Sequence, residues 1–519
     1  PFTCSPLFAA RTQLADGTPV LRMYEYERLR GVSFQMDFFL PDGSRVLFAR
    51  MRLVNENAQT VPTYWWSNIA VPEWRGGRVV VPADAAYVAR DGVIFKDSVP
   101  VDRGGDDVTY PVNNPKAVDH FWKIAPERRK YIAHLNADGW GLVQASTHRQ
   151  RGRKLFVWGQ TRGSARWQEF LSGNPHDRYI EIQAGLAQTQ YECLPMPPHT
   201  AWEWLEAYGA MNAGPAQIHG AWHGAQAAVE ARLETLIPQE RLEQLLRQTR
   251  DTMAKRPAQA LFCRGSGWGA LENLRRAHAG EPPLSPQLDF GVPGAEQAPW
   301  RALLERGAMG EYDPREPVSS WLPDARYLPL LAQAAQGAER ENWHTWLQLG
   351  AALLTQGRFA DARDALARAD SLARCAWVKY ACSCLHLMQH EPERAAVYAR
   401  QAAEAAPEDA SVLKFALRVL LEARQYGEAL RLIAAAPPEL QRLPRVRLSE
   451  AQALVGLERL EEAEAILLQD GGLIVPDIRE GEQTMSEVWI ALQQKKYGLG
   501  REAVEKIAPV PYRMDFRMN

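Results

Sequence analysis

Lys154-Leu-Phe-Val-Trp-Gly-Gln160 and Tyr179-Ile-Glu-Ile-Gln-Ala-Gly185 decide the reading of the N-terminal part of this chain. Strand alternation puts Tyr179, Glu181 and Gln183 on one face and Ile180, Ile182 and Ala184 on the other. The apolar face is predicted to pack into a core. The polar face is left for solvent or a ligand. Between the two runs lies Arg166-Trp-Gln-Glu-Phe170, and after them Thr200-Ala-Trp-Glu-Trp204. Tryptophans beside carboxylates and amides suit sugars: the ring stacks on pyranose C–H faces while the polar groups hold hydroxyls.

Upstream, the same period continues. Leu47, Ala49, Met51 and Leu53 alternate with Phe48, Arg50 and Arg52. Short runs at 32–40, 79–81 and 130–135 read as strands, with turn signals at Pro41-Asp-Gly43 and Ala137-Asp-Gly139. No helix-length segment separates them. The expectation is an antiparallel β-sandwich over residues 1–210 rather than a βαβ fold. Residues 211–340 read as a connector, helical in pattern over 222–256 and rich in Pro and Gly over 279–325.

From about residue 340 the chain repeats. Arg358-Phe-Ala-Asp-Ala362, Pro392-Glu-Arg-Ala-Ala396, Gln425-Tyr-Gly-Glu-Ala429 and Arg459-Leu-Glu-Glu-Ala463 place an alanine at steps of 34, 33 and 34 residues. Trp346-x-x-Leu349-Gly350-x-x-Leu353 precedes the first. This is the pattern of tetratricopeptide repeats, whose small residues let paired helices pack closely. An α-helical solenoid over 341–519 is predicted, with about four helix pairs and a capping helix within Glu482–Tyr497. Such repeats buttress a neighbouring domain, self-associate, or hold a peptide in a concave groove. Asn342 and Lys379 are the groove candidates.

Composition narrows the function. The chain has 519 residues, is 46% hydrophobic and carries a net charge of −2. That balance gives no case for nucleic acid or an anionic membrane as partner. No apolar run approaches the ~20 residues that span a bilayer. Six cysteines (Cys4, Cys193, Cys263, Cys375, Cys382 and Cys384) show no CxxC pairing. With no visible signal peptide, the expectation is a cytoplasmic protein. His219-x-x-x-His223 lacks a third ligand, and Gly265-Ser-Gly-Trp-Gly269 lacks the lysine of a phosphate loop. Neither GxSxG nor GxGxxG occurs, so no metal or cofactor is expected.

Glu181 is the principal carboxylate candidate, with Glu169 or Glu73 as the second. Glycoside hydrolysis by the usual route needs two carboxyl groups roughly 5 to 9.5 Å apart. Trp158, Trp167 and one of Trp65 and Trp66 form the expected platform, because consecutive residues of a strand point to opposite faces. Asn68, Gln160, Tyr179 and Gln183 are the expected substrate contacts. Asp119-His120 is a further possible acid/base pair.

The set Tyr64-Trp-Trp-Ser-Asn68, Phe156-Val-Trp-Gly-Gln160, Trp167, Tyr179-Ile-Glu181 and Thr200–Tyr208 resembles the bacterial family called domain of unknown function 5107. The likeness spans most of residues 18–275, and the repeats extend it to the C-terminus. It implies a sandwich like that of galactose mutarotase, acting on carbohydrate. It also implies a longer N-terminal part of the sandwich than this chain has, since the sequence opens at Pro1. The combined expectation is a carbohydrate-active protein of glycoside-hydrolase type. The alternative is a non-catalytic sugar-binding or scaffold protein whose repeats bind a partner or self-associate.

Overall fold

The structure is a computed structural model that describes residues 5–90, 92–318 and 320–518. Cys4 lies outside the described residues. The chain divides into two compact units, one reaching Val292 and the other Pro293–Arg517.

The first unit is built on antiparallel sheets. Nine strands form the larger one, in the order Ala260–Cys263, Phe8–Gln13, Pro19–Glu27, Val32–Phe39, Val46–Asn55, Thr200–Asn212, Trp140–Ser146, Lys130–Leu135, Arg78–Val80. Six form the smaller: Trp66–Pro72, Tyr179–Gly185, Gly152–Val157, Val118–Trp122, Ala85–Arg90, Val93–Ser98. Val61–Thr63 and Leu194–Met196 add a two-stranded ribbon.

Alternation along Thr200–Asn212 shows how the layers stack. Glu203 points to one side, where Arg50, Arg52 and Arg250 pair with it. Trp204 and Glu206 point to the other, against Trp65, just before the smaller sheet's edge strand, and Ser67 within it. Helices Trp222–Leu236 and Gln239–Thr249 cover the Glu203 side. Burial alone would raise the Glu203 carboxyl, but Arg50 and Arg52 outweigh it and hold it down at about 2. Between the sheets, Ile180, Ile182, Leu155 and Val157 join Ile132 and Trp122, while Val143, Leu205 and Ala207 carry the same core on to the helix-covered side. The sandwich thus forms because each strand divides its side chains by parity. The strand Ala260–Cys263 returns from the helical stretch to extend the larger sheet beside Phe8–Gln13.

The second unit is helical. Its pairs are Trp343–Thr355 with Phe359–Leu372, Ala376–Met388 with Pro392–Ala405, Ala410–Glu422 with Tyr426–Ala435, and Pro444–Gly456 with Leu460–Leu468. Ala362, Ala396, Ala429 and Ala463 are all fully buried, as their spacing predicts. At Gly350 a Cβ would stand 2.7 Å from Leu366 Cδ2, so any side chain there would have to push Leu366 of the paired helix aside. The segment predicted as a cap is the helix Thr484–Tyr497, and Arg501–Ile507 follows it. A fifth pair therefore stands where a lone capping helix was expected. Asn342 caps the helix that follows it and donates to Gly310 O, while Lys379 pairs with Asp370. Both are engaged within the repeat unit.

Among the described residues no helix is long and apolar enough to cross a membrane. Cys193 and Cys263 are exposed free thiols, and Cys375 and Cys382 are buried ones.

Candidate functional site

The six-stranded sheet turns its second face away from the core. Pairing puts Glu181 opposite Ala70 and Phe156, and Gln183 opposite Asn68 and Lys154. Asp119 is in turn opposite Phe156, and Phe121 opposite Lys154. These side chains share the outer face. Glu181 accepts hydrogen bonds from Asn68 Nδ2 at 2.6 Å and Gln183 Nε2 at 3.0 Å. The other end of the Gln183 amide accepts from Gln190 Nε2 at 2.6 Å. Gln190 Oε1 then receives a hydrogen bond from Lys154 Nζ at 2.6 Å.

Lys154 is nearly buried. Its ammonium stands 2.7 Å from Asp119 Oδ1, an ion pair rather than a well-directed hydrogen bond. It also lies 5.5 and 5.6 Å from the Phe121 and Phe156 ring centres, within cation–π range. A continuous polar chain therefore runs from Asn68 to Asp119 across four strands.

Trp66 borders this chain. It is half-buried, edge-on to Phe121, and lies across Gly185, where a Cβ would be 2.3 Å from its ring. Trp65 turns inward instead, edge-on to Trp204 and tilted on Phe34. Tyr191 meets Phe121 edge-on and is largely exposed. Burial first, and the nearby Asp119 charge second, raise the Tyr191 phenol above its usual range.

Other predicted residues sit elsewhere. Trp158 and Trp167 are each 1% exposed, so they are core and not an open platform. The cause is the helix Arg162–Ser172, which caps one end of the face: Trp167 stacks on Trp158, and Tyr179 meets Trp158 edge-on. Glu169 belongs to this helix, not to a strand, and stands 3.5 Å from Arg166. Glu73 is locked to Arg178 at 3.1 Å, with Gln160 bridging to both. The structure thus joins Glu181, Asn68, Gln183 and Trp66. It separates Glu73 and Gln160 into a second cluster and leaves Glu169 on a third element. His120 points inward, stacks on Trp122 and bonds Asn114 at 2.8 Å, opposite in direction to Asp119.

Lys154, Gln190 and Tyr191 escaped the sequence reading of this face. The parity of Lys154 and Phe156 was available as a signal; which strands flank them was not. A second carboxylate, Glu206, also escaped it. It is fully buried and accepts from Ser67 at 2.7 Å, Gln150 at 2.7 Å, Trp204 at 2.8 Å and Tyr208 at 2.6 Å. Trp204-x-Glu206-x-Tyr208 has the same alternation as Tyr179-x-Glu181-x-Gln183, which was the available clue. A separate cavity of about 550 Å³ lies by Val88, Asp102, Asn114 and His120, on the far side of Asp119's strand from Glu181. Among the described residues no group of three His, Cys, Asp or Glu side chains is placed to hold a metal ion.

Fold and site together define an antiparallel sandwich with a polar and aromatic sheet face, followed by tetratricopeptide repeats. Residues 1–198 match the family described as Domain of unknown function (DUF5107). A TPR-domain containing protein from Parabacteroides distasonis is similar in structure over 98% of this chain and 77% of its own, at 17% identity and a TM-score of 0.62. That likeness is one of fold. A galactose mutarotase-like protein from Clostridium acetobutylicum matches 39% of this chain and 66% of its own, at 10% identity and a TM-score of 0.29. YrrB, described as a TPR protein with an unusual peptide-binding site, matches 36% of this chain and 94% of its own, at 16% identity and a TM-score of 0.26.

Proposed function

We propose that the outer face of the six-stranded sheet binds carbohydrate. The observation that carries this reading is Glu181 held between the Asn68 and Gln183 amides on the face that Trp66 borders. A carboxylate and two amides supply acceptors and donors at fixed positions for adjacent sugar hydroxyls. Trp66 and Phe121 supply apolar faces for pyranose C–H groups. Glu73 and Glu169 have no part in it, being held by Arg178 and Arg166.

A glycan array probed with the full chain tests the proposal. Wild type is expected to retain a defined set of glycans, and Asn68→Ala and Glu181→Ala each to weaken retention about tenfold, as loss of one charge-assisted or bridging hydrogen bond does. Retention unchanged by both substitutions refutes it.

One observation favours a second, catalytic reading. Asp119 shares a sheet row with Glu181, with Phe156 between them. Strand spacing sets their Cα atoms about 10 Å apart, from which side chains can converge to hydrolase separation. Against it, both carboxylates are already engaged, Asp119 by an ammonium and Glu181 by two amides. Binding is therefore the better supported reading. Release of sugar from an oligosaccharide panel, abolished by Glu181→Gln, would reverse that preference.

A further inference from the structure

The helix pairs of the second unit are joined by short links, residues 373–375 and 406–409 among them. Residues 469–483, between Leu460–Leu468 and Thr484–Tyr497, are far longer. The segment 473–483 is acidic, with Asp477, Glu480 and Glu482 against Arg479. It does not hang free. Asp477 accepts from Arg445 Nε at 2.9 Å and from Lys414 Nζ at 3.4 Å, and its backbone oxygen accepts from Arg445 Nη2 at 3.0 Å. Glu482 takes the rest of the Arg445 guanidinium, with Nη2 at 3.2 Å. Val475 and Ile478 are buried while Asp477 between them is not.

The partners of this segment lie on the first helices of two successive pairs. On Ala410–Glu422, Ser411, Lys414, Arg418 and Glu422 fall at helical spacing along one stripe that is not buried in the repeat core. Arg418 lies over the Phe415 ring, and Phe415 stacks on Tyr380 of the preceding pair at 3.9 Å. Arg445 opens the helix Pro444–Gly456. Lys414 on the stripe and Arg445 on the next first helix thus supply the cations, beside an aromatic floor, while Arg418 is paired with Glu422 at 3.7 Å. The stripe's present occupant is an acidic segment of the same chain, folded through turns at 476–477 and 480–481. Gly471, Gly472 and Gly481, all at positive φ, bracket that segment, which Val475 and Ile478 anchor by burial.

We propose that this stripe is a docking surface for an acidic peptide of a partner protein, and that residues 473–483 hold the place in cis. Charge complementarity identifies the occupant: the cations select carboxylates, and the segment already seated is a template of the ligand. A tethered segment acts at an effective concentration on the order of mM, so it shuts out free peptides of ordinary affinity until displaced.

The test uses the full chain and a fluorescent peptide with the sequence of residues 473–483, read by anisotropy. Asp477→Asn/Glu482→Gln, which keeps the shape of the segment and removes its charges, is expected to bind the peptide about tenfold more tightly than wild type. Adding Lys414→Ala/Arg445→Ala should abolish that binding. A peptide carrying Asn and Gln in place of its Asp477 and Glu482 should not bind. The proposal is overturned if the double variant binds no more tightly than wild type, or if binding survives loss of Lys414 and Arg445. A matching thermal melt of each variant confirms that the repeats are folded, and Lys414→Arg/Arg445→Lys should retain binding where the alanine pair does not.

Discussion

Asp119 and Glu181 flank the ring of Phe156 on one row of the six-stranded sheet, each its direct cross-strand neighbour. They are engaged differently. Asp119 leans on the Lys154 ammonium, which is itself nearly buried, whereas Glu181 is held by neutral amides. The two carboxylates should therefore respond differently to substitution, Asp119 chiefly through stability and Glu181 chiefly through binding.

Lys154→Met removes the partner of a carboxylate that is only a quarter exposed, together with the bond to Gln190. Breaking one side of a partly buried ion pair is expected to cost about 2 kcal/mol, less than the 3–5 of a fully buried pair because Asp119 keeps some water. Urea denaturation checks this. The companion Asp119→Asn/Lys154→Met should regain more than half of the loss, since no uncompensated charge then remains. A double variant as unstable as Lys154→Met alone would show that packing of the lysine stem, not charge, sets the cost.

Glu25 provides a pH signature. Burial pushes its carboxyl up from 4.5 to about 7, although the backbone N–H groups of Tyr26 and Ser266 pull the other way. The folded state then holds a proton that the unfolded state releases. Its stabilising contribution is complete below pH 4.5 and is lost as pH rises to 7, by on the order of 3 kcal/mol. Glu25→Gln cannot ionise. Its stability relative to wild type should climb across that window and level off above it. A difference that stays constant from pH 4.5 to 8 would contradict the assignment.

Parity was the legible part of this molecule. The alternation in Tyr179–Gly185 sorted inner from outer residues, and the rule that neighbours on a strand oppose each other separated Trp65 from Trp66. The alanines at 362, 396, 429 and 463 located the repeats because each marks a place where two helices touch. What stayed hidden was pairing at long range. Nothing local tells Lys154 that Asp119 will be across the sheet. The burial of Trp158 and Trp167 depended on a helix whose ends carried readable signals: Thr161 caps it through the Ser164 N–H, and Gly173 closes it at positive φ. Residue type alone marks a tryptophan as a platform candidate, but the element that carries it decides whether it is exposed.

His134 tests the core beneath the site from the other direction. Its ring stacks on Trp74 at 4.8 Å and is fully buried, and burial holds the imidazole down at about 4. An unfolded histidine protonates near 6.5, so the stability due to neutral His134 is present above that pH and lost as pH falls towards 4. A ring-proton NMR titration should show His134 still neutral at pH 5, well below the range near 6.5 where an unperturbed imidazole takes up its proton. A midpoint for His134 near 6.5 would refute the prediction.

The repeat unit predicts an overpacking cost. In Gly350→Ala the new methyl would stand 2.7 Å from Leu366 in the facing helix. Alanine gains roughly 1 kcal/mol over glycine in helix propensity, while forced overpacking costs about 1–3 kcal/mol, so a net loss near 1 kcal/mol is expected. Leu366→Ala added to Gly350→Ala should cost less than it does alone, because it vacates the space the methyl needs. Strict additivity of the two in thermal unfolding would argue against direct contact.

Gly185 gives the sharpest separation of platform from scaffold. A Cβ there would fall 2.3 Å from the Trp66 ring, and one at Gly152 would be 2.8 Å from the same ring. The tryptophan lies flat on the sheet because two paired positions have no side chain. Gly185→Ala should lift the ring, lowering stability by about 1–3 kcal/mol through strain and weakening glycan retention at least as much as Trp66→Ala does. In the Trp66→Ala background the same change should have little effect on stability, since the methyl then enters the space the ring has left. Glycan retention unaffected by Gly185→Ala would remove Trp66 from the binding face, whatever happened to stability.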